Sequence, residues 1–367
     1  GANSSFVHRI ADPHLSLHEL AVSPVTVVDQ TAIQEGAVGV RHPRIPLPSQ
    51  LYGPQRANSQ GLDLASEAVL PALQAAMEQA LHTTWDAQPL LAPHRNNHSN
   101  SSSDGHSDAM GTATASPLSR NPEPNPPAVA VRNPADHSDT LGTVRDATLS
   151  EVEHALQSAH AGAADWAQTP AAERARLLKA CAEAYEAQLP QFIALLLREA
   201  GKTAANAVAE VREAVDFLRY YATQVERDFA NATHLPLGPV VCISPWNFPL
   251  AIFTGQIAAA LAAGNTVLAK PAEQTPLVAH LATQLMLQCG IPAAALQLLP
   301  GAGETVGATL VADARVQGVL FTGSTDVARL LQRSVAQRLR PDGQPVVLIA
   351  ETGGQNAMIV DSSALVE

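Results

Sequence analysis

Cysteine is scarce in this chain, and aromatic residues make up only 4% of it. Its three cysteines, Cys181, Cys242 and Cys289, are widely spaced, form no CxxC pair and have no histidine nearby. This pattern is not that of a disulfide framework, and it predicts reduced thiols in a cytoplasmic protein. No basic block offsets the excess of 34 acidic over 22 basic residues. The net charge of −12 therefore argues against a nucleic-acid partner.

The sequence also lacks a secretion signal and a membrane segment. Its first ten residues contain neither an initiator methionine nor the charged-then-apolar order of a signal peptide. The longest apolar stretch, Pro249 to Ala263, is interrupted by Gly255 and Gln256 and is too short to span a bilayer. We expect no membrane contact from this chain, and we expect both of its ends to be cut from a longer sequence.

The composition favours an α/β protein. Apolar residues make up 46% of the 367 positions and are mostly alanine, leucine and valine, which suits helices packed on a parallel sheet. Residues 1–91 contain repeated X-Pro steps and are predicted to be a connector without a core of its own. Residues 92–127 are polar and proline-rich, so we predict a disordered loop whose histidines, His94, His98 and His106, bind no metal. Residues 128–367 then form the main domain.

Three helices are expected before the sheet, at about 148–167, 171–200 and 203–228. In the second, apolar residues recur at spacings of three and four, which predicts one buried stripe. The stripe consists of Leu177, Leu178, Cys181, Tyr185, Leu189, Phe192, Ile193 and Leu196. Cys181 is therefore interpreted as a core residue and not a nucleophile. On the third helix, Glu210 and Glu213 either line a substrate entrance or lie on a solvated face, and we favour the solvated face.

After Gly238, short β-branched runs alternate with helical segments. The predicted strands are Val240–Ser244, Thr266–Ala269, Leu296–Leu299, Gly318–Phe321, Val346–Ala350 and Ala357–Val360. Helices are predicted between the first five strands, at about 250–262, 276–289, 303–312 and 324–337. This repeated strand–helix order predicts a doubly wound parallel sheet, whose ligands bind beyond the carboxyl ends of the strands.

The first predicted strand ends in the segment Ser244-Pro245-Trp246-Asn247-Phe248-Pro249. Two prolines brace Asn247, whose amide could donate to an oxygen that gains charge. Such an oxyanion role is worth on the order of 3 kcal/mol. A proline-rich turn capped by the asparagine is the alternative, which the turn alone favours.

The second strand is followed by Lys270-Pro271-Ala272-Glu273. In open α/β folds, an acidic residue here accepts hydrogen bonds from the adenosine ribose and repels a 2′-phosphate, which favours NAD over NADP. The alternative is a solvent-exposed Lys/Glu pair in a turn.

Glycine-rich turns follow the third and fourth strands. In the PGAGETVG segment from Pro300 to Gly307, Gly303 and Gly307 could let a ligand approach a helix N-terminus. This segment is one residue longer than the GxGxxG fingerprint, and tight packing is the alternative explanation. After the fourth strand, Phe321-Thr322-Gly323-Ser324 repeats the pattern, and Ser324 either caps the next helix or binds a phosphate.

Glu351 follows the fifth predicted strand, in the segment Glu351-Thr352-Gly353-Gly354-Gln355-Asn356. A carboxylate at the end of a buried strand, beside two glycines, is a candidate general base. The alternative is an ordinary polar surface residue.

The order and spacing of these motifs resemble one family, the aldehyde dehydrogenases, over about residues 128–367. The resemblance implies an aldehyde substrate, NAD as cofactor and no metal. It implies that Asn247 is the oxyanion donor, that Glu351 activates water for thioester hydrolysis, and that Lys270 and Glu273 bind the ribose. Further residues expected at the cofactor are Ser244, Trp246, Ala272, Gly303, Gly307, Phe321, Thr322, Gly323, Ser324, Thr352 and Gly353.

Within that family, the chain resembles the L-glutamate γ-semialdehyde dehydrogenase part of the bifunctional proline utilization A enzymes. The segments that carry this resemblance are Arg198–Thr203, Ala214–Tyr221, Gly1–Asp12 and Leu51–Asp63. It implies NAD-linked oxidation of the semialdehyde, formed from pyrroline-5-carboxylate, to glutamate in proline catabolism. It further implies that FAD binds only in a proline dehydrogenase part that is absent here, and that the protein is a homo-oligomer. The cysteine that attacks the aldehyde is expected beyond this segment.

Two other interpretations remain open. One is another NAD-dependent aldehyde dehydrogenase, such as an enzyme for succinate semialdehyde. The other is a non-catalytic module that keeps only the NAD fold, and the missing catalytic cysteine is what motivates it.

Overall fold

A computed structural model of the protein describes residues 12–36, 45–67, 69–93, 125–354 and 360–361. The chain divides into two units, residues 1–54 and 55–367. The smaller unit contains α1 (Leu17–Leu20) and α2 (Pro24–Glu35). His94, His98 and His106, which are predicted to bind no metal, lie outside the described residues. The predicted strand Ala357–Val360 also lies outside them, apart from Val360.

Five helices of the larger unit precede its parallel sheet in the described part of the chain. They are α3 (Leu70–Leu81), α4 (Leu149–Gln168), α5 (Ala171–Ala187), α6 (Leu189–Glu199) and α7 (Ala204–Asp228). The prediction of a single helix over 171–200 is wrong, because the chain breaks at Gln188 and restarts with Pro190 in the first turn of α6. Proline lacks the N–H that a continuous helix needs at this position. The predicted stripe is nevertheless confirmed, since all of its members, including Cys181, are buried.

A three-stranded sheet, which the sequence pattern did not predict, lies beside these helices. It consists of β1 (Trp85–Ala87), β2 (Val129–Asn133) and β3 (Asp136–Val144), with β3 in the middle. Gly142 of β3 lies opposite Trp85, and a Cβ added to it would be 1.7 Å from the Trp85 carbonyl oxygen. The pairing of β1 with β3 joins residues of the predicted connector to the later part of the chain. The predicted domain boundaries at residues 91 and 127 remain predictions.

A five-stranded parallel sheet forms the centre of the larger unit. Its strands are β4 (Pro239–Ile243), β5 (Thr266–Lys270), β6 (Leu296–Leu298), β7 (Gly318–Thr322) and β8 (Val347–Glu351). Their spatial order is β6-β5-β4-β7-β8. The connecting helices are α8 (Ala251–Ala262), α9 (Pro276–Gln288), α10 (Ala308–Ala312) and α11 (Thr325–Val335). This arrangement confirms the predicted doubly wound α/β fold, with strand ends within one residue of their predicted positions.

The burial of the strands differs between the middle and the edge of this sheet. Every residue of β5 is buried, as expected for a parallel strand covered on both faces. In contrast, β8 is the last strand in the described sheet, and its Ile349 is 52% exposed. The expectation that Glu351 follows a buried strand is therefore wrong, because β8 has a neighbour on only one side in the described part of the chain.

Two buried glutamates cap the helices that follow β4 and β5. Glu199, at the end of α6, accepts hydrogen bonds from the backbone N–H groups of Leu277 (2.6 Å) and Val278 (2.9 Å) at the start of α9. Burial raises the pKa of this carboxyl to about 8. Glu210, on α7, caps α8 in the same way, and its side chain is 1% exposed. The favoured prediction that Glu210 lies on a solvated face is therefore wrong, whereas Glu213 is exposed.

Within the described ranges, no helix has both the length and the apolar character that crossing a membrane requires.

Candidate active site

The carboxyl ends of β4, β5, β7 and β8 surround a cavity of about 770 Å³. The sheet order reverses between β4 and β7, which is where ligands bind in open α/β sheets. The predicted site residues that line the cavity are Ser244, Trp246, Asn247, Lys270, Ala272, Glu273, Phe321, Thr322, Gly323, Ser324, Glu351, Thr352 and Gly353. Motifs that are more than 100 residues apart in the sequence, such as those at Ser244 and Glu351, thus meet at one place.

Other lining residues were missed by the sequence analysis. They are Pro245, Phe248, Ile252, Gln274, Thr325 and Val327. Pro245 and Phe248 lie within the predicted motif after β4, and the other four lie next to a predicted motif or in the first turn of the helix that follows it. Extending each motif by one helical turn would have identified them.

The turn after β4 contains two polar side chains, those of Ser244 and Asn247, that form no hydrogen bond in the described structure. The backbone N–H of Ser244 donates to the Lys270 carbonyl (3.3 Å), and the Ser244 hydroxyl is buried without a hydrogen-bond partner in the described structure. Asn247 is exposed, and no hydrogen bond of its side chain is found in the part of the chain that is described. The alternative of an asparagine that caps its own turn is therefore not supported. Asn247 lines a cavity in which a ligand oxygen could accept a hydrogen bond from its amide.

Lys270 brings a buried cation to the cavity. Its side chain is 4% exposed, and its Nζ donates to the Pro271 carbonyl oxygen at 3.1 Å. Desolvation lowers the pKa of this ammonium, while the nearby Glu273, Asp146 and Glu304 carboxylates act in the opposite direction. The alternative of a solvent-exposed Lys/Glu pair is thus wrong for Lys270, although Glu273 itself is exposed. Because an ammonium has three donors, Lys270 can still donate to a ligand that carries hydroxyl groups.

Gly303 and Gly307 do not line the cavity but support the motif that does. The backbone N–H of Gly303 donates to Glu273 Oε1 at 2.8 Å. A Cβ added to Gly307 would lie 3.4 Å from Cδ of Lys270. The segment Gly303–Gly307 is a π-helical turn that leads into α10, so only the second half of the helix predicted at 303–312 is α-helical. At these glycines the π-helical turn packs against the side chains of Lys270 and Glu273.

The turn after β7 presents a helix N-terminus to the cavity. Ser324 Oγ accepts from the Val327 N–H at 3.2 Å, which confirms that Ser324 caps α11. Gly323 donates its N–H to the Glu351 carbonyl at 3.1 Å, and a Cβ on it would lie 2.6 Å from the Phe321 ring. The N-terminus of a helix carries a partial positive charge that favours anions such as phosphate. Phosphate binding by Ser324 remains a prediction.

Glu351 lies where this cavity meets a second one. The second cavity, of about 490 Å³, shares Ile252, Phe321, Thr322 and Glu351 with the first. Its other walls are mostly apolar and include Phe217, Tyr221 and Ile349. The Glu351 side chain is exposed, so water can reach its carboxylate.

None of the three cysteines lines either cavity. Cys181 and Cys242 are buried, and burial raises the pKa of the Cys242 thiol, which disfavours the reactive thiolate. Cys289 is half-buried and follows the last residue of α9. Among the described residues, no group of three or more His, Cys, Asp and Glu side chains is arranged to hold a metal ion.

Comparisons with known proteins identify the family to which the chain is similar. Residues 122–367 match the model of the aldehyde dehydrogenase family. The whole chain is 56% identical to the bifunctional protein PutA of Escherichia coli and covers 26% of it. Over 250 residues, 64% of the chain, it is 39% identical to the 1-pyrroline-5-carboxylate dehydrogenase of Anoxybacillus flavithermus and covers 48% of that enzyme.

Solved structures give the same result. A variant of proline utilization A from Bradyrhizobium japonicum superposes with a TM-score of 0.65 at 37% identity, over 96% of this chain and 30% of that one. The 1-pyrroline-5-carboxylate dehydrogenase from Thermus with bound NAD superposes with a TM-score of 0.67 at 28% identity, over 86% of this chain and 57% of that one. The chain therefore spans about a quarter of the length of the curated bifunctional relatives that it matches.

Proposed function

Because the chain belongs to the aldehyde dehydrogenase family, we propose that it forms the NAD-binding part of an L-glutamate γ-semialdehyde dehydrogenase that acts in proline catabolism. One observation carries the proposal: a single cavity brings together Asn247, Lys270, Ser324 and Glu351 from four strand ends. The similarity to proline utilization A and to 1-pyrroline-5-carboxylate dehydrogenases supports the choice of substrate. We further propose that the complete gene product carries an FAD-dependent proline dehydrogenase, as a bifunctional enzyme.

The residues of the cavity fit NAD. The buried Ser244 hydroxyl has no partner in the described structure, and the buried Lys270 ammonium makes one hydrogen bond of the three possible. Lys270 and Glu273 would hold the ribose hydroxyls, and Ser324 with the N-terminus of α11 would hold the pyrophosphate. The Glu273 carboxylate would repel the extra phosphate of NADP. When bound, NAD supplies the hydride acceptor of the reaction.

Asn247 and Glu351 have separate chemical roles in this proposal. The Asn247 amide donates a hydrogen bond to the aldehyde oxygen as that oxygen gains negative charge. Glu351 takes a proton from the water that hydrolyses the acylated cysteine. Since neither cavity is lined by any of the three cysteines, the nucleophile would come from a part of the protein outside this chain.

An assay of the complete gene product tests the proposal. Glutamate γ-semialdehyde, in equilibrium with pyrroline-5-carboxylate, is supplied with NAD or NADP, and NADH or NADPH formation is followed. We expect NADH formation with kcat/KM at least about tenfold higher for NAD than for NADP, because Glu273 discriminates against the 2′-phosphate. Succinate semialdehyde serves as the control substrate. No NADH, or a higher kcat/KM for succinate semialdehyde, would refute the assigned substrate.

A further inference from the structure

The segment Ala200–Thr203 connects α6 to α7 and reaches the turn that carries Asn247. Gly201 has a φ of 64°, a conformation that glycine adopts readily, and Lys202 follows it. Lys202 Nζ lies 2.5 Å from Glu210 Oε2 and 4.3 Å from the centre of the Phe248 ring. Phe248 directly follows Asn247. The Lys202 ammonium therefore contacts both α7 and the turn after β4.

Glu210 fixes the other end of the same turn. Its Oε1 accepts hydrogen bonds from the backbone N–H groups of Leu250 (2.8 Å) and Ala251 (3.3 Å). The helix α8 begins there, and its N-cap residue Leu250 has no polar side chain to cap it. One carboxylate thus pairs with Lys202 through one oxygen and holds the start of α8 through the other.

The Glu210 carboxylate is buried, so its charge depends on the groups that pair with it. A charge that is removed from water is costly unless it is paired and hydrogen-bonded. Glu210, which is 1% exposed, has both a cationic partner and two backbone donors. Replacing its charge would leave the Lys202 ammonium, only 11% exposed, without its carboxylate partner.

Few contacts hold Asn247 itself in place in the described structure. On its N-terminal side, Ser244 is held by its hydrogen bond to Lys270. Trp246 is 57% exposed, and Asn247 is exposed as well. On its C-terminal side, the nearest polar anchors are the contacts of Lys202 and Glu210 with residues 248, 250 and 251. The direction of the Asn247 amide therefore depends on these contacts.

We propose that Glu210, together with Lys202, is a positioning residue that orients Asn247 toward the aldehyde oxygen. The proposal rests on the proposed function, because it assumes that Asn247 is the oxyanion donor. Glu210 touches neither substrate nor cofactor in this role. A displacement of about 1 Å at a catalytic group can cost about 100-fold in rate, so loosening the turn has a measurable effect.

The test is Glu210→Gln in the complete gene product. Glutamine keeps the size and one acceptor for the Leu250 N–H but loses the ion pair with Lys202. We expect kcat to fall about 10- to 100-fold while the Kd of NAD stays within about threefold. In an Asn247→Ala background, we expect Glu210→Gln to change kcat less than about twofold, since the group on which it acts is gone. Full retention of kcat, or an equal loss in both backgrounds, would overturn the proposal.

A matched control is Glu186→Gln. Glu186 also accepts from a backbone N–H, that of Gln60 at 2.7 Å, and pairs with an arginine, Arg219, at 2.7 Å. It lines neither cavity. This variant is expected to keep the wild-type kcat, which separates the loss of a partly buried, hydrogen-bonded ion pair elsewhere in the unit from the loss of this one.

Two further measurements keep the proposal testable if Glu210→Gln is poorly folded or the assay shows no activity. Lys202→Met leaves the backbone hydrogen bonds of Glu210 intact and should lower kcat at least about threefold, with the same dependence on Asn247. Independently of activity, acrylamide should quench the fluorescence of Trp246 more strongly in either variant, in a background where every other tryptophan of the complete protein, including Trp85 and Trp166, is phenylalanine. Unchanged quenching in a folded variant contradicts a loosened turn, whereas an inactive wild type with altered quenching contradicts only the proposed function.

Discussion

Asn247→Ala is expected to lower kcat for glutamate γ-semialdehyde about 100- to 1000-fold in the complete enzyme, a loss of about 3–4 kcal/mol of transition-state stabilisation. The reason is that Asn247 lines the cavity at the end of β4, where its amide can donate to the aldehyde oxygen. Alanine removes the donor and little else, because the side chain is exposed and makes no hydrogen bond in the described part of the structure. The Kd of NAD and the melting temperature should therefore stay close to the wild-type values.

Stopped-flow measurement of NADH formation is the appropriate readout, since the oxyanion forms before hydride transfer. The matched control is Asn206→Ala, because Asn206 is also exposed but lies in the first turn of α7 and not at the cavity. The control should retain wild-type rates. A loss of less than about tenfold for Asn247→Ala would show that its amide does not stabilise the developing charge.

Glu351→Gln is expected to separate the two halves of the reaction. Glutamine has nearly the same shape as glutamate but cannot take a proton from water. The acylated enzyme should therefore form at a near-normal rate and then hydrolyse about 100- to 10,000-fold more slowly. NADH would appear as a burst of about one equivalent per site, followed by a slow steady rate.

The control for this prediction is Glu183→Gln, an exposed glutamate of α5 that lines neither of the two cavities around Glu351. It should show the wild-type time course without a separate slow phase. A Glu351→Gln variant with normal steady-state turnover would rule out the general-base role. A variant that also loses the burst would place Glu351 in a step before hydride transfer.

Most of the sheet could be predicted from sequence because its strands are short apolar runs with helical segments between them. Val240 is buried on one face of the parallel sheet, and Leu268 and Val319 are buried on the other. Strands that are buried on both faces are recognisable as apolar runs without knowing their partners. The site followed from the sheet, because the carboxyl ends of its strands meet at one edge. The broken helix at Gln188 was also visible in principle, since Pro190 marks the break.

The features that were missed depend on contacts between distant residues. Strand β3 is mostly polar. It pairs on one side with the neighbouring β2 and on the other with β1, whose Trp85 lies 57 positions before its partner Gly142. Glu210 has the local surroundings of a surface glutamate on a helix. Its burial follows from partners at Lys202 and at Leu250, the latter 40 residues further along the chain. Neither partner can be inferred from periodicity.

Hydrogen–deuterium exchange of the complete protein, with and without NAD, tests most directly whether the cavity at the strand ends is the cofactor site. We expect slower exchange on NAD binding in peptides that contain residues 244–250, 270–275 and 322–328, and much weaker protection with NADP at the same concentration. Bound NAD that leaves the exchange of these three segments unchanged would contradict this expectation.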